Sequence, residues 1–343
     1  MALRLPGAVS PRRISAAYLL LALIALFGYL RPDTFLTQIT FTSILSDQAL
    51  TALVAVGLVT ALATEQFDLS LSGGMALASV TSASLAATHG HSTTTAIATT
   101  IVIGALVGVT IGILVTRFNI SSFIATLGMG SVLVGLANAV SNQQDIIGLP
   151  PSFVTLGDAQ LLGVRVVVWI CLAVVIGLWF FLEQTPWGRQ MYAVGGNLEA
   201  ARLNGLRVDL LRVLALAISS TAAALAGALS TAGVTAGSSQ TGPAYLLPAF
   251  AAAFLGSTQI KPGRVNVWGT VLAVFTLAVG IKGLQLVGAP FWLSDFFNGA
   301  ALLVAVGLAS NQLTRRRRRR AAAAVEPPEK GGRDREALSV VRQ

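Results

Sequence analysis

Four ionisable side chains lie inside or beside the apolar stretches of this 343-residue chain and are the first candidates for chemistry. They are Glu65, Asp68, Lys282 and Asp295. A charge at the centre of a membrane costs about 2.5–3.5 kcal/mol on insertion scales, so such residues usually face protein or water and mark functional sites. Each of the four is near the end of an apolar stretch. Asp68 precedes the sequence Leu-Ser-Leu-Ser, which predicts that it caps the following helix, with direct contact to a polar solute as the alternative.

Side chains suited to metal binding or nucleophilic catalysis are few. His89 and His91 share a short loop, where a metal site is conceivable but a solvated turn is the simpler interpretation. Cys171, the only cysteine, lies in an apolar stretch and is expected to pack in the core. The sequence contains no G-x-x-x-x-G-K-[ST] phosphate loop and no Ser/His/Asp constellation. We therefore expect neither an enzyme nor a cofactor bound by this chain.

The composition indicates a membrane protein. Hydrophobic residues make up 54% of the chain, charged residues only 11%, and the mean hydropathy is +0.75. Soluble domains have about 25% charged residues. The net charge of +9 could suggest nucleic acid, but ten of the 23 Lys and Arg lie beyond Asn311, and most others sit in short loops. This distribution is typical of membrane topology, so no nucleic-acid partner is expected.

The apolar runs predict an all-α polytopic bundle of about ten transmembrane helices, some of them short or broken. The predicted spans are about 14–30, 48–64, 69–88, 94–115, 121–140, 164–182, 210–231, 244–256, 265–285 and 292–310. With the N-terminus in the cytoplasm, ten Lys and Arg fall on the cytoplasmic side and three on the other. By the positive-inside rule, both termini are predicted to be cytoplasmic.

The two ends of the chain are expected to lie outside the membrane domain, which would run from 14 to 310. Residues 1–13 form a predicted cytoplasmic N-terminal segment. The tail, 311–343, contains six consecutive arginines and is then rich in Ala, Pro, Glu and Gly, so it is predicted to be a disordered basic cytoplasmic tail. Its arginines could bind anionic membrane lipid, or they could serve only as a topological anchor.

Two connections are longer than the others. The stretch 141–163 lacks Lys and Arg and contains two adjacent prolines, so it suits an extracytoplasmic position. Loops longer than about 12–15 residues are usually functional or disordered, which leaves a docking surface and a simple connector as alternatives.

The inner stretch 183–209 predicts a short capped helix in the cytoplasm. Gly195 and Gly196 are expected to break the chain, and Asn197 is a good N-cap for a helix from Leu198 to Asn204. Glu199 falls in the first turn and Gly205 can supply the left-handed C-terminal cap. A helix of two turns is unstable alone, so it must pack on the membrane domain or on a partner.

Three stretches of the chain resemble the permease subunits of ATP-binding-cassette importers in the ribose/xylose/galactose and autoinducer group. They are FDLSLSGG from 67 to 74, FIATLGM from 123 to 129, and TPWGRQMYAVGGNLEAARLNG from 185 to 205. A weaker similarity follows at Gly256-Ser-Thr, Gly263-Arg264 and Gly269. The resemblance covers about residues 45–310, and its third stretch is the most specific.

The resemblance implies that 14–310 is a permease domain and that 185–207 is the coupling loop and helix, which docks on a separate ATPase. The residues that would make or shape this contact are Gly188, Arg189, Gly195, Gly196, Asn197, Glu199, Ala200, Ala201, Arg202 and Gly205. The first two stretches supply the candidates for the translocation pathway, Asp68, Ser70, Phe123, Thr126 and Met129.

The implied mechanism is alternating access. Two ATPase subunits, which bind ATP and Mg, would move the coupling helices of two permease subunits, a homodimer or a pair of homologues. A solute-binding protein would deliver a small polar solute, most simply a monosaccharide, across the cell membrane. The chain departs from the family where Gly-Gly usually precedes the Asp-Leu-Ser segment, because it has Glu65-Gln66 there. An ion-coupled secondary carrier is the alternative.

Overall fold

The computed structural model describes residues 15–290 and 292–307. The predicted segments 1–13 and 311–343 lie outside these residues. Among the described residues, the regular secondary structure is helical apart from one small hairpin and an isolated β-bridge. Its helices are α1 (Ser15–Leu30), α2 (Pro32–Phe35), α3 (Gln38–Ala63), α4 (Leu71–Ala83, prolonged by a π turn over Ser84–Thr88), α5 (Thr93–Arg117), α6 (Ser122–Ser141), α7 (Pro151–Asp158), α8 (Val166–Gln184), α9 (Pro186–Gly196), α10 (Leu198–Leu203), α11 (Val208–Val234), α12 (Pro243–Gly256), α13 (Val267–Leu286) and α14 (Trp292–Gly307).

Each of the ten predicted spans coincides with a helix of this structure. Six helices in the described chain, α3, α5, α6, α8, α11 and α13, are long and apolar enough to cross a membrane. Helices α1, α12 and α14 are apolar but shorter. The all-α membrane class is therefore confirmed, whereas ten crossings and cytoplasmic termini stay predictions.

Helix α3 begins ten residues before the predicted span at 48. The hydroxyl of Thr37 accepts a hydrogen bond from the amide of Thr40 at 3.2 Å and caps the helix there. The intervening residues are too polar to register as part of an apolar span, and the cap rather than hydropathy sets the helix start.

Helix α11 is the centre of the bundle and packs on α3, α4 and α5 through small residues. On α5, Gly104, Gly108 and Gly112 form a stripe with a four-residue period facing α11. A Cβ at Gly108 would lie 2.5 Å from the Cα of Ala217, so only glycine permits this approach. Close backbone packing of this kind is the usual means of helix association in membranes, where there is no hydrophobic driving force between helices.

Helices α3 and α11 run antiparallel and are mostly buried. Gly57 of α3 meets Ala222, and the hydroxyl of Thr60 donates a hydrogen bond to the carbonyl of Ala215 at 3.0 Å. By contrast, α5, α6 and α8 are largely exposed on the outside of the bundle. The apolar surface of these three peripheral helices suits contact with lipid.

The long connection 141–163 is folded rather than loose. It contains α7 and continues into the hairpin of β1 (Gln160–Leu161) and β2 (Val164–Arg165). Phe153 is fully buried, Gly157 packs directly on the backbone of Ala232, and Ile146 pairs with Gly237 in an antiparallel bridge. The segment thus covers the C-terminal end of α11. We call this the α7 end of the bundle, and the opposite one, which carries α10, the α10 end.

Candidate functional site

The predicted coupling segment begins with α9, which turns sharply away from the end of α8. The hydroxyl of Thr185 accepts a hydrogen bond from the amide of Gly188 at 3.3 Å, and Pro186 occupies the first helical position. A Cβ on Gly188 would clash with the carbonyl of Leu182 in the last turn of α8. Gly188 is therefore required by the close approach of the two helices.

The prediction that Gly195 and Gly196 break the chain is wrong. Both are the last residues of α9, and the helix ends at Asn197, which has an extended conformation with φ −164° and ψ 106°. A Cβ on Gly195 would clash with the carbonyl of Ala63, the last residue of α3. Gly195 thus serves close packing of α9 on α3 rather than flexibility.

The short capped helix is confirmed as α10. The side chain of Asn197 accepts a hydrogen bond from the amide of Ala200 at 3.0 Å, and Glu199 lies in the first turn. The amide of Gly205 bonds to the carbonyl of Arg202, and its φ of +76° is the left-handed conformation that glycine favours. Asn197, Glu199 and Gly205 therefore have the structural roles that were expected of them.

Helix α10 has an inner and an outer face. Ala201 is buried, so its side chain anchors the helix instead of lying on an external surface. The outer face, which we call the docking face, consists of Glu199, Ala200, Arg202 and Leu203. Leu203 is 89% exposed, and the sequence analysis did not single it out. The helical period could have predicted the exposure of Leu203, because positions 198 and 201 share the inner face of the helix and position 203 lies outside that face.

The charged groups around the docking face are only weakly tied down. Arg202 pairs with Asp209 at 3.3 Å, but both side chains are more than half exposed, so the pair adds little stability. Arg189 is exposed on α9 and donates to the backbone carbonyl of Gln184 at 3.3 Å. These side chains are free to rearrange against a partner.

A second polar cluster, also absent from the sequence analysis, fastens α9 to the loop before α13. Glu183 accepts hydrogen bonds from Lys261 and from Arg264, the latter at 3.0 Å. The guanidinium of Arg264 lies 3.7 Å from the ring centroid of Tyr192. Burial raises the pKa of Tyr192 to about 12, partly offset by the nearby Arg264 charge. Its hydroxyl is buried and has no hydrogen-bond partner among the described residues.

At the α10 end of α3 the chain turns back into the bundle. Glu65 has φ +57°, a conformation that glycine would favour, and it stands where the sequence departs from the permease group that it resembles. The turn is closed by hydrogen bonds from the amides of Glu65 and Gln66 to the last turn of α3. Residues 66–70 then run inward without helix or strand until α4 begins at Leu71.

Asp68 lies deep in the bundle, not near a span end as predicted. It is fully buried beside Ser219 and Ser220, which are about 17 Å along the roughly 40 Å length of α11. One carboxylate oxygen accepts from the amide of Ser70 at 3.1 Å and from its hydroxyl at 2.5 Å. This holds the turn before α4, but it is not the predicted cap on first-turn amides. The second oxygen has no hydrogen bond of normal geometry to a described residue.

Helix α12 is a second half-helix that starts at the same depth. After α11, residues 235–242 return from the α7 end alongside α4, where the amide of Ser238 and the hydroxyl of Thr241 bond to Ser79. Gly242 packs against the carbonyl of Ser72 so tightly that a Cβ would clash. From there α12 runs about 21 Å to the α10 end. The starts of α4 and α12 therefore meet in mid-bundle, and we call this contact the half-helix crossing.

The structure brings together four of the five pathway candidates. Thr126 is fully buried, and its hydroxyl contacts the carbonyl of Phe67 at 3.3 Å, next to Asp68. Ser70 lies close to Gly130 of α6, one residue from Met129. Phe123 is the exception, since it is half exposed on the outside of α6. A role of any of the five in translocation stays a prediction.

Two groups of curated relatives align with nearly the full permease-like region. The chain is 31% identical over 291 residues to the ribose import permease protein RbsC of Escherichia coli strain K12, an alignment that covers 84% of this chain and 90% of the relative. It is 31% identical over 292 residues to the autoinducer 2 import system permease protein LsrC of Yersinia pestis strain Pestoides F, covering 85% and 83% respectively. No solved structure matches the chain at a significant level.

The match to a protein family is equally extensive. Residues 40–306 match the family described as branched-chain amino acid transport system / permease component. They include α4 through α13 and hence both the docking face and the half-helix crossing. Since the match covers far more than half of the chain, the protein is a member of this family of membrane-embedded permease components.

Proposed function

We propose that this chain is the membrane subunit of an ATP-driven importer for a monosaccharide or a closely related polyol. In this proposal it resides in the cell membrane with the α10 end in the cytoplasm. The observation that carries the proposal is the docking face, a short helix fixed on its inner side and bearing Leu203 in solvent on its outer side. Exposed apolar side chains rimmed by charged ones are typical of a surface that binds another protein.

The partner on this face is an ATPase subunit, which binds ATP and Mg where this chain has no phosphate loop. Only residues 204–207 separate α10 from α11, and α9 packs on the ends of α3 and α8 through Gly195 and Gly188. A displacement of α10 would therefore be passed to the two central helices of the bundle through short connections and close packing. Close-packed contacts of this kind transmit movement because they have few alternative arrangements.

The half-helix crossing is the part of the bundle that would rearrange when α10 is displaced. Broken helices that start at mid-membrane depth are where many transporters place their gates and substrates, because their free amides and polar turns can face a water-filled path. Asp68 and Ser70 lie at this level. A solute-binding protein would deliver the solute at the α7 end, and a second permease copy or homologue would complete the pathway.

The names of the relatives support the solute class and the direction of transport. One imports ribose and the other autoinducer 2, both small polar molecules. Asp68 has the mid-depth position that ion-coupled carriers use, but neither the family nor the relatives support an ion-coupled carrier.

Copurification tests the proposal. The tagged chain is extracted from its native membranes in mild detergent, and the retained proteins are searched for an ATPase with a phosphate loop. Leu203→Glu should abolish that retention, while Ile147→Glu, an equally radical change at an exposed residue of the opposite end, should preserve it. Retention of the ATPase by both variants would refute the docking face. Ion-gradient-driven uptake by the chain alone would refute the importer.

A further inference from the structure

A cavity lies beside the half-helix crossing. It lies between α3, α12, α13 and α14 and has a volume of about 200 Å³. Its polar lining comes from Asp47, Gln48 and Thr51 on one face of α3, Tyr245 in the first turn of α12, and Asn298 on α14. The first two turns of α12 also line it, so the cavity lies in mid-bundle beside the start of this half-helix.

The side of the bundle that carries this cavity is not suited to lipid. Asp47 is exposed on α3, and a carboxylate in contact with hydrocarbon would be strongly disfavoured. One of its oxygens accepts from the hydroxyl of Ser43 at 3.0 Å, and that hydroxyl accepts in turn from the ammonium of Lys282 at 3.1 Å. This relay neutralises one edge of the carboxylate. The other oxygen has no partner among residues 15–290 and 292–307, so this side of the bundle must face water or protein.

The polar groups in the cavity are those that recognise vicinal hydroxyls. A carboxylate accepts from two hydroxyl groups at once, and an amide both donates and accepts. The side-chain carbonyl oxygen of Asn298 is buried and lacks a hydrogen-bond partner among the described residues, so it can accept a hydrogen bond from a bound ligand. On α13, Val274, Leu277 and Ile281 supply an apolar wall against which C–H groups can pack.

The cavity is less suited to an amino acid. A zwitterion needs a positive group for its carboxylate as well as a negative group for its ammonium. The described lining contains Asp47 but no lysine or arginine, and the closest cation, Lys282, is already bonded to Ser43. The balance of one carboxylate with four neutral hydrogen-bonding side chains favours an uncharged polyol.

We infer that this cavity is the solute site of the permease and that it binds one monosaccharide through Asp47, Gln48, Thr51, Tyr245 and Asn298. The inference rests on the proposed function for the solute class. The inference goes beyond the proposed function because it assigns a solute site outside the stretches 67–74 and 123–129. The sugar would be held beside the half-helix crossing, in position to pass it when the two half-helices part.

Cysteine protection tests the site directly, because the only native cysteine, Cys171, is buried. Ala244 is an exposed residue of the cavity lining, so Ala244→Cys should react with a water-soluble maleimide in the purified full chain. Saturating D-ribose, D-xylose or D-galactose should slow this reaction at least threefold. The same sugars should not affect Ala139→Cys, which is equally exposed but on α6, outside the cavity.

A second set of variants separates binding from mere shielding. In the Ala244→Cys background, Tyr245→Phe and Asn298→Leu should each raise the half-protecting sugar concentration about two- to tenfold, the effect of losing one hydrogen bond. Tyr192→Phe, which removes a hydroxyl far from the cavity, should leave it unchanged. Absence of protection by all three sugars, or protection by L-leucine instead, would overturn the inference. Because no ATPase is present, a failure here is distinct from a failure of the docking face.

Discussion

The docking face and the half-helix crossing are held together in opposite ways. The helix that carries the docking face is formed within twenty residues by its own caps, Asn197 and Gly205, and by glycines that fit it onto its neighbours. The crossing joins segments far apart in the chain, since Ser79 bonds to residues 159 and 162 positions away. The first region therefore exposes a local structure to a partner, whereas the second exists only when the whole bundle is assembled.

This difference predicts how each region responds to substitution. A lost cap costs about 1 kcal/mol and loosens only its own helix. A side chain forced between two packed backbones costs more and is felt throughout the bundle, because close-packed interiors relax only partially. Global stability should thus depend on the crossing, and partner binding on the docking face.

The largest effect is expected for Gly242→Ala. The added Cβ would clash with the carbonyl of Ser72 and push the two half-helices apart, at a cost of about 3 kcal/mol. The apparent melting temperature in detergent should fall by about 5–10 °C. Gly135→Ala is the matched control, since a Cβ there meets nothing within 4 Å, and it should be neutral or slightly stabilising. Equal melting temperatures for the two variants would show that the crossing is not tightly packed.

An intermediate effect is expected at Tyr192, which links α9 to the loop before α13. Tyr192→Leu should lower stability by about 1–2 kcal/mol, because the ring contact with Arg264 is lost. Tyr192→Phe keeps the ring and removes a buried hydroxyl without a partner among the described residues, so it should be neutral or stabilising. Thermal unfolding of both variants measures the difference, and a larger loss with Phe than with Leu would contradict the assigned contact.

The raised pKa of Tyr192 predicts that the stability of the folded chain depends on pH in the alkaline range. Its pKa is about 12 in the folded chain against 10.0 ordinarily, so the unfolded chain releases the proton first. The wild-type protein should therefore lose stability relative to Tyr192→Phe as the pH rises from about 10 to about 12. Parallel stability curves for the two proteins over this range would contradict the burial of the hydroxyl.

A smaller and strictly local effect is expected for Asn197→Ala. Loss of the hydrogen bond to Ala200 removes the cap of α10 at a cost of about 1 kcal/mol, equivalent to about a fivefold change in the local opening equilibrium. Amide hydrogen exchange over residues 198–203 should accelerate by that factor while the melting temperature stays unchanged. Asn138→Ala, on α6, should alter neither exchange in α10 nor retention of the ATPase. A fall in the melting temperature with Asn197→Ala would contradict the prediction that the docking face is stabilised only locally.

The smallest effect on stability is expected for substitution of Glu65, which lies between the docking face and the half-helix crossing. Its φ of +57° is unfavourable for a residue with a Cβ, so Glu65→Gly should relieve strain. Glycine also raises the entropy of the unfolded chain, which limits the net gain to about 1 kcal/mol or less. Glu65→Ala removes the carboxylate without relieving the backbone and should not be stabilised. A gain in melting temperature with alanine but not glycine would assign the effect to charge instead.

The predictions drawn from local patterns were mostly confirmed, whereas the predicted position of Asp68 near a span end was not. Hydropathy located the nine apolar helices of the described residues and also α4, although it placed the start of α3 too late because Thr37 caps the helix earlier. The capping residues of α10 were correct. Gly195 and Gly196 were misinterpreted as a chain break, because a glycine needed for close packing has the same appearance in the sequence as one needed for flexibility. The roles of the candidate site residues stay predictions until a partner or solute is bound.

The sequence by itself determined that this is a helical membrane protein, that a capped helix lies between α9 and α11, and which importer group it resembles. These properties depend on composition and on interactions within one or two turns of helix. Only the tertiary structure decided that Asp68 lies at mid-depth, that the starts of α4 and α12 meet, and that Asp47, Tyr245 and Asn298 share one cavity. The reason is that depth and contact are set by packing between segments more than 150 residues apart, and no local pattern in the chain encodes the position of a distant partner.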